Sequence, residues 1–292
     1  MLPPRDQPKT AFDNLIVMGT ADGKVHLVDI ARNKILNTIN LSSPEVTVFS
    51  VDWNVDGFVA IASTELNVFI KKFDPESKNF DDVTQLGTNN ASRIVTWNPS
   101  KQNILAAGLF NGQIVVFNTE TMQVQASLQA TNSRILSIQW HPQFEHILAA
   151  GSFDNAVRVH DVRENSVKEM EFHTDRVRSL NWSSEVPWLL VSGGDDSRQV
   201  CWDVRSRMMI FCAEEPTLAM TSFTSHYDRP FIYFSSHFDA SIIQWNLLGV
   251  PDVALPQIKF LLNCERADIL QDDLNEIMTS NVPTKLTGAR SK

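Results

Sequence analysis

The chain has 292 residues, with 25 Lys and Arg against 34 Asp and Glu, a formal net charge of −9, and 43% hydrophobic content. The excess of carboxylates excludes a general nucleic-acid binder, which needs phosphate-neutralising cations, and the apolar content excludes a disordered chain. Three cysteines, Cys201, Cys212 and Cys264, are too few and too far apart for a disulfide framework or a four-thiolate zinc site.

Residues 1–11, MLPPRDQPKTA, lack the apolar core of a secretory leader, and their three prolines make an irregular segment that cannot serve as an inner strand. No run of 18 apolar residues is present to span a bilayer, so the chain reads as soluble, intracellular and globular. LIVMG at 15–19 is the first strand, and its register marks it as the second strand of a unit whose inner strand is missing. From there a period near 43 governs the sequence. Alternating runs end at Trp53, Trp97, Trp140 and Trp182, with spacings of 44, 43 and 42, and a further step of 41 reaches Phe223. Turn-like groups place Asp22, Asn111, Asp154, Asp196 and Asp239 in a second series, with Glu65 in a degenerate unit between the first two. A third series, Asp29, Asn118, Asp161, Asp203 and Asn246, closes strand-like runs. Each unit holds four short strands separated by Asn, Asp, Ser, Gly and Pro, as in VRSLNW (177–182), WLLVSG (188–193), RQVCWD (198–203) and RMMIFCA (207–213).

Four-stranded units repeated at this period predict an all-β β-propeller of about six blades over residues 12–262, the first incomplete and the ring completed by upstream sequence or by a partner. After the last unit, LPQIKFLLN supplies a final strand. Leu270, Leu274, Ile277 and Met278 then recur at helical spacing among acidic residues, predicting a short acidic C-terminal α-helix over 263–279. Residues 280–292 are polar and read as a flexible tail.

SGGDDSRQVCWD (192–203) resembles the WD-repeat signature, and AGSFDNAVRVHD (150–161) and SSHFDASIIQWN (235–246) are similar to it. The resemblance implies a hydrogen-bonded tetrad of His, Ser or Thr, Asp and Trp across a blade. Only the fifth unit supplies all four, as His173, Ser192, Asp196 and Trp202. A buried carboxylate needs donors in any case, and imidazole, hydroxyl and indole provide them. The end of the chain, with EVPWLLVSGGDD, resembles the WD repeat-containing protein 17 family, large scaffolds in which a helical region follows the propellers.

No catalytic, cofactor-binding or metal-binding set emerges. His141 and His146 in HPQFEH are five apart around Pro142, which suits a turn better than a zinc site. His173 is read as the partner of Asp196 rather than a base, and Gly193–Gly194 lies between strands with no following helix to hold a phosphate. What remains is surface. The resemblance places the residue before each turn Asp on the broad face of a propeller, which selects Phe110, Phe153, Asp195 and Phe238. Arg93, Arg134, Arg176 and Arg178 begin inner strands near the same face and suggest an acidic partner segment. Alternatively, the rings tuck over neighbouring blades and the arginines pair with Asp175 and its neighbours.

The expectation is a non-enzymatic scaffold, without cofactor, nucleic acid or membrane insertion. It would present propeller faces to other proteins of a large assembly, with an additional chain or subunit completing or flanking the ring. The resemblance implies a cytoplasmic setting, with ciliary, transport, coat-like or cytoskeleton-associated assemblies in view. A second reading rests on HDVR (160–163) and WDVR (202–205). Such Asp-x-Arg boxes resemble those of substrate receptors of cullin-type ubiquitin ligases, in which Arg163 and Arg205 would dock the adaptor.

Overall fold

The computed structural model describes residues 14–41, 45–183, 186–214, 219–225, 232–246 and 285–286. All regular structure among them is β. The helix expected over 263–279 and the strand expected in LPQIKFLLN lie outside the described residues.

The strands form six antiparallel meanders, each a propeller blade. The first has three strands, β1 (Leu15–Gly19), β2 (Lys24–Asp29) and β3 (Lys34–Asn40). The second holds β4 (Val48–Trp53), β5 (Phe58–Ser63), β6 (Asn67–Asp74) and β7 (Asn79–Gly87), and the third β8 (Ser92–Trp97), β9 (Ile104–Leu109), β10 (Gln113–Asn118) and β11 (Gln123–Gln129). The fourth comprises β12 (Ile135–Trp140), β13 (Ile147–Ser152), β14 (Ala156–Asp161) and β15 (Ser166–Glu171). In the fifth are β16 (Val177–Trp182), β17 (Leu189–Gly194), β18 (Arg198–Asp203) and β19 (Met208–Glu214). The sixth combines β20 (Met220–Ser225), β21 (Ile232–His237) and β22 (Ile242–Asn246) with the two-residue β23 (Lys285–Leu286). The chain divides into two compact units, Met1–Ala150 with His160–Ser166 and Gly151–Val159 with Val167–Lys292.

Within the first unit the tryptophan period has a physical cause. Asp52 and Thr96, each directly ahead of an inner-strand tryptophan, offer their carbonyls to the next blade. The Trp97 indole donates to Asp52 O at 3.3 Å, and the Trp140 indole to Thr96 O at 3.2 Å. The residue after each tryptophan then caps the turn. Asn54 Oδ1 accepts from the amides of Asp56 and Phe58, Asn98 Oδ1 from Ser100 and Lys101, and His141 Nδ1 from Gln143 and Phe144. That capping role accounts for HPQFEH as a turn. A small residue near the end of a second strand lets the next blade approach. A Cβ at Gly108 would lie 2.6 Å from Ile135 and 2.8 Å from Ile138.

In the second unit the register corrects one assignment. Leu180 pairs with Ser192 and Trp182 with Leu190 in the fifth blade, whereas Phe223 pairs with Ser235 and Ser225 with Tyr233 in the sixth. Ser225, not Phe223, therefore holds the tryptophan slot. Phe223 stands where Leu180 stands and stacks on Tyr233, centroids 5.0 Å apart.

Candidate protein-interaction surface

Four inner strands carry a bulge at their second residue: Phe49 in β4, Arg93 in β8, Arg178 in β16 and Thr221 in β20 each stand unopposed in the ladder. An extra residue in one strand bends it and re-aims that side chain out of the pleat. The bulge thus delivers Phe49, Arg93 and Arg178 to the same end of their blades as the turns that carry Phe110, Phe153, Asp195 and Phe238.

In the first unit these side chains form one connected cluster. The Arg93 guanidinium lies 5.1 Å from the Phe49 ring centroid and donates to Phe49 O at 3.3 Å. The Phe49 and Phe110 rings are 5.2 Å apart, and Arg134 stands 5.2 Å over Phe110. The order is guanidinium, ring, ring, guanidinium. Arg134 is exposed, and the other three are half-buried.

The second unit builds a related row around a carboxylate. Arg176 covers the Phe153 ring at 4.0 Å, and Arg178 lies 5.3 Å over Phe238. Between the guanidinium groups sits Asp195, held in a two-point ion pair by Arg178 (Nη2 at 2.8 Å and a shorter Nε contact) and 3.8 Å from Arg176. Arg176 also stands 3.8 Å from Asp175. Phe238 remains 65% exposed and Phe153 39%, although cations cover one side of each ring. Asp195 is therefore already engaged within the chain, and it orients both arginines.

The eight surface residues singled out from the sequence thus fall into two clusters, and Phe49 joins the first. Its signal was present, since Phe49, Arg93 and Arg178 each precede a repeat tryptophan by four residues. What the repeat could not show is that this slot is bulged.

The fifth-blade tetrad is continuous. His173 Nδ1 lies 3.0 Å from both oxygens of Asp196, His173 Nε2 is 2.7 Å from Ser192 Oγ, and the Trp202 indole donates to that hydroxyl at 2.8 Å. Asp196 also accepts from the amides of Thr174 (2.9 Å) and Arg198 (3.2 Å). Burial pushes its carboxyl upward, but the His173 hydrogen bond and charge and the two amides outweigh that and hold it below the usual carboxylate range. The sixth blade makes a different network from a histidine inside its own strand. His237 Nε2 and the Trp245 indole both meet Ser235 Oγ, at 2.8 and 2.6 Å. In the fourth blade, with His160 in the tryptophan slot, Arg158 reaches Ser152 and Asp154 at 3.0 Å and Glu169 at 2.6 Å. These networks lock loops to strands; they do not form a reactive set.

The two Asp-x-Arg boxes are closed. Asp161 accepts the Arg163 amide at 2.9 Å and its guanidinium at 3.2 Å, and Asp203 accepts the Arg205 amide at 2.9 Å and its guanidinium at 3.0 and 3.1 Å. Both arginine side chains keep exposed surface, 62% and 39%, while each pairs with its own box. Among the described residues, no group of three or more His, Cys, Asp or Glu could hold a metal ion, and no helix is long and apolar enough to cross a membrane. Cys201 is buried in β18, which pushes its thiol well above the usual range and leaves it inert.

Comparison with known proteins agrees with this architecture. Residues 9–180 match the family described as Eukaryotic translation initiation factor eIF2A, and residues 164–203 match the WD domain, G-beta repeat. Protein transport protein SEC31 of Ajellomyces capsulatus is 25% identical over 182 residues, 58% of this chain and 14% of that protein. Autophagy-related protein 18 of Komagataella pastoris is 25% identical over 59% of this chain and 31% of its own length. Protein FIZZY-RELATED 3 of Arabidopsis thaliana is 25% identical over 60% and 35%. The chain thus spans little more than a third of these relatives at most. A chain in the crystal structure of the Mitotic Checkpoint Complex matches with a TM-score of 0.70 at 19% identity, covering 80% of this chain and 70% of that one, which shows the fold. With one family matched across more than half of its residues and a WD repeat spanning β15 to β18, the chain belongs to the eIF2A family of WD-repeat propellers.

Proposed function

We propose that this protein is a non-enzymatic interaction scaffold in which each of two arginine–phenylalanine clusters can bind an acidic segment of a protein partner. The observation that carries the reading is the pairing of exposed Phe153 and Phe238 with Arg176 and Arg178, matched by Phe49, Phe110, Arg93 and Arg134. Aromatic and arginine side chains dominate the energetics of protein interfaces. In a chain of net charge −9, four guanidinium groups gathered on such rings favour carboxylates on the partner. The relatives named for protein transport, and the solved complex that shares the fold, support a place in a multiprotein assembly. Transport or coat-like assemblies in the cytoplasm fit those relatives, whereas none of them speaks for cilia or the cytoskeleton. Kinship with WD repeat-containing protein 17 rests on the sequence of the C-terminal region. Family membership brings a translation factor's name, but the acidic charge favours protein over RNA as the ligand. The ubiquitin-ligase reading is weaker, because Arg163 and Arg205 are each engaged by the aspartate of their own box.

Affinity capture from cell extract with the wild-type chain, followed by mass spectrometry, should recover a stoichiometric protein partner. A folded Phe49→Ala, Phe110→Ala, Phe153→Ala, Phe238→Ala variant should not recover it. Equal capture by the two would overturn the proposal.

A further inference from the structure

β1 is the outlier among the second strands. Its equivalents β5, β9, β13 and β17 are almost wholly buried, whereas Ile16 and Met18 are 38% and 46% exposed. By register Ile16 corresponds to Val59, Leu105, Leu148 and Leu190, and all four are fully buried.

The backbone gives the more specific sign. Asn14 O accepts from Ile30 N, and Thr20 N donates to Lys24 O, so the even-numbered residues of β1 face β2. In an antiparallel pair the bonded residues alternate. The amides and carbonyls of Leu15, Val17 and Gly19 therefore point to the opposite edge, and among the described residues β1 pairs only with β2. In the fifth blade the corresponding Leu189, Val191 and Gly193 bond to β16, as in the bond from Ser183 N to Leu189 O. An open edge of apolar residues, with neither proline nor charge to blunt it, is a template for another strand.

We propose that this edge receives an extended strand from a partner protein, added antiparallel to β1 in the place that β4, β8, β12 and β16 hold in their blades. The inner strands of this chain state the chemistry wanted: a valine, then valine or leucine two residues ahead of a tryptophan, as in Val48–Trp53 and Val177–Trp182. Inner strands here end five to seven residues before the second strand, at Trp53 for Phe58 and at Trp182 for Leu189. A donor taken from the segment directly before β1 would therefore fall across Pro4 and Pro8, which lack amides for the ladder, and this favours a partner as the source; a donor from elsewhere in the chain would protect the edge without peptide. The proposal is independent of the arginine–phenylalanine clusters and survives their failure.

The test uses the intact chain and a synthetic peptide of residues 176–183, RVRSLNWS, as the donor strand. Hydrogen exchange at Leu15, Val17 and Gly19 should be fast without peptide and slow at least about tenfold with it, while Ile16 and Met18 stay protected throughout. Peptides methylated on alternate backbone nitrogens separate the two edges of the added strand. One phase should lose the effect and the other keep it. Protection of Leu15, Val17 and Gly19 without peptide, slowing by neither phase or by both, or a concentration-dependent dimer that protects the same amides would each overturn the proposal.

Discussion

Replacing Asp196 by Ala tests whether the fifth-blade tetrad carries structural weight. The Asp196 side chain is 3% exposed and accepts from His173, Thr174 and Arg198. Truncation leaves the His173 ring and the Thr174 amide without an acceptor, and a buried orphaned donor costs about 1–3 kcal/mol. Asn111 occupies the same place in the third blade, but its amide group meets Gln113 and Asn89 at 3.2–3.4 Å near the surface, with no histidine in the network. Asn111→Ala should therefore cost well under about 1 kcal/mol. Urea unfolding followed by tryptophan fluorescence, with Trp202 inside the network as a reporter, gives the two midpoints. Equal midpoints at an unchanged slope would refute the reasoning. The pH dependence has a definite sign. Because the folded-state Asp196 carboxyl lies below its ordinary value, its contribution is complete above the usual carboxylate range and is lost as the pH falls through the folded value. The gap between wild type and Asp196→Ala should narrow on acidification.

Asp52 should show the opposite sign. Burial raises its carboxyl despite hydrogen bonds from the amides of Trp97 (2.7 Å) and Trp53 (2.9 Å), so its contribution is complete at low pH and is lost as the pH rises through the raised value. Asp52→Asn should flatten that limb of the stability–pH profile, and an unchanged limb would count against the assignment. Gly108→Ala should cost about 1–3 kcal/mol, because its Cβ meets branched Ile135, Ile138 and Ile94 within 2.9 Å. Gly193→Ala meets only Met220, whose flexible thioether can swing aside, and should cost less by calorimetry. Reversing Arg163 and Arg205 to Glu should lower the unfolding midpoint modestly, because each Asp-x-Arg pair becomes a like-charge pair at the surface, but should leave partner capture unchanged; loss of capture by a folded variant would revive the ligase reading.

The propeller was legible because three residue series share one period and answer to distinct bonds: the Trp97 and Trp140 indoles to the neighbouring blade, Asn111, Asp154, Asp196 and Asp239 to the amides two residues on, and Asp29, Asn118, Asp161 and Asp203 to the amides of the turn that follows each. The tetrad was legible for the same reason, as all four members stand in one unit. Phe223 was misplaced because an aromatic two residues early preserves the period by eye, while strand register assigns its slot to Ser225. The engagement of Asp195 by Arg178 was hidden, since the two are 17 residues apart and meet only across the bulge. The substitute networks of Arg158 and of His237 were hidden too, since each replaces a tetrad member with a residue from another strand position.

The most direct measurement is calorimetric titration of the captured partner onto three folded chains: wild type, the four-phenylalanine Ala variant, and the Arg163→Glu, Arg205→Glu variant. Truncating contact aromatics at the centre of an interface should remove several kcal/mol, on the order of a hundredfold or more in Kd, whereas the box variant should bind as wild type does. Wild-type affinity in the four-phenylalanine variant would contradict the account.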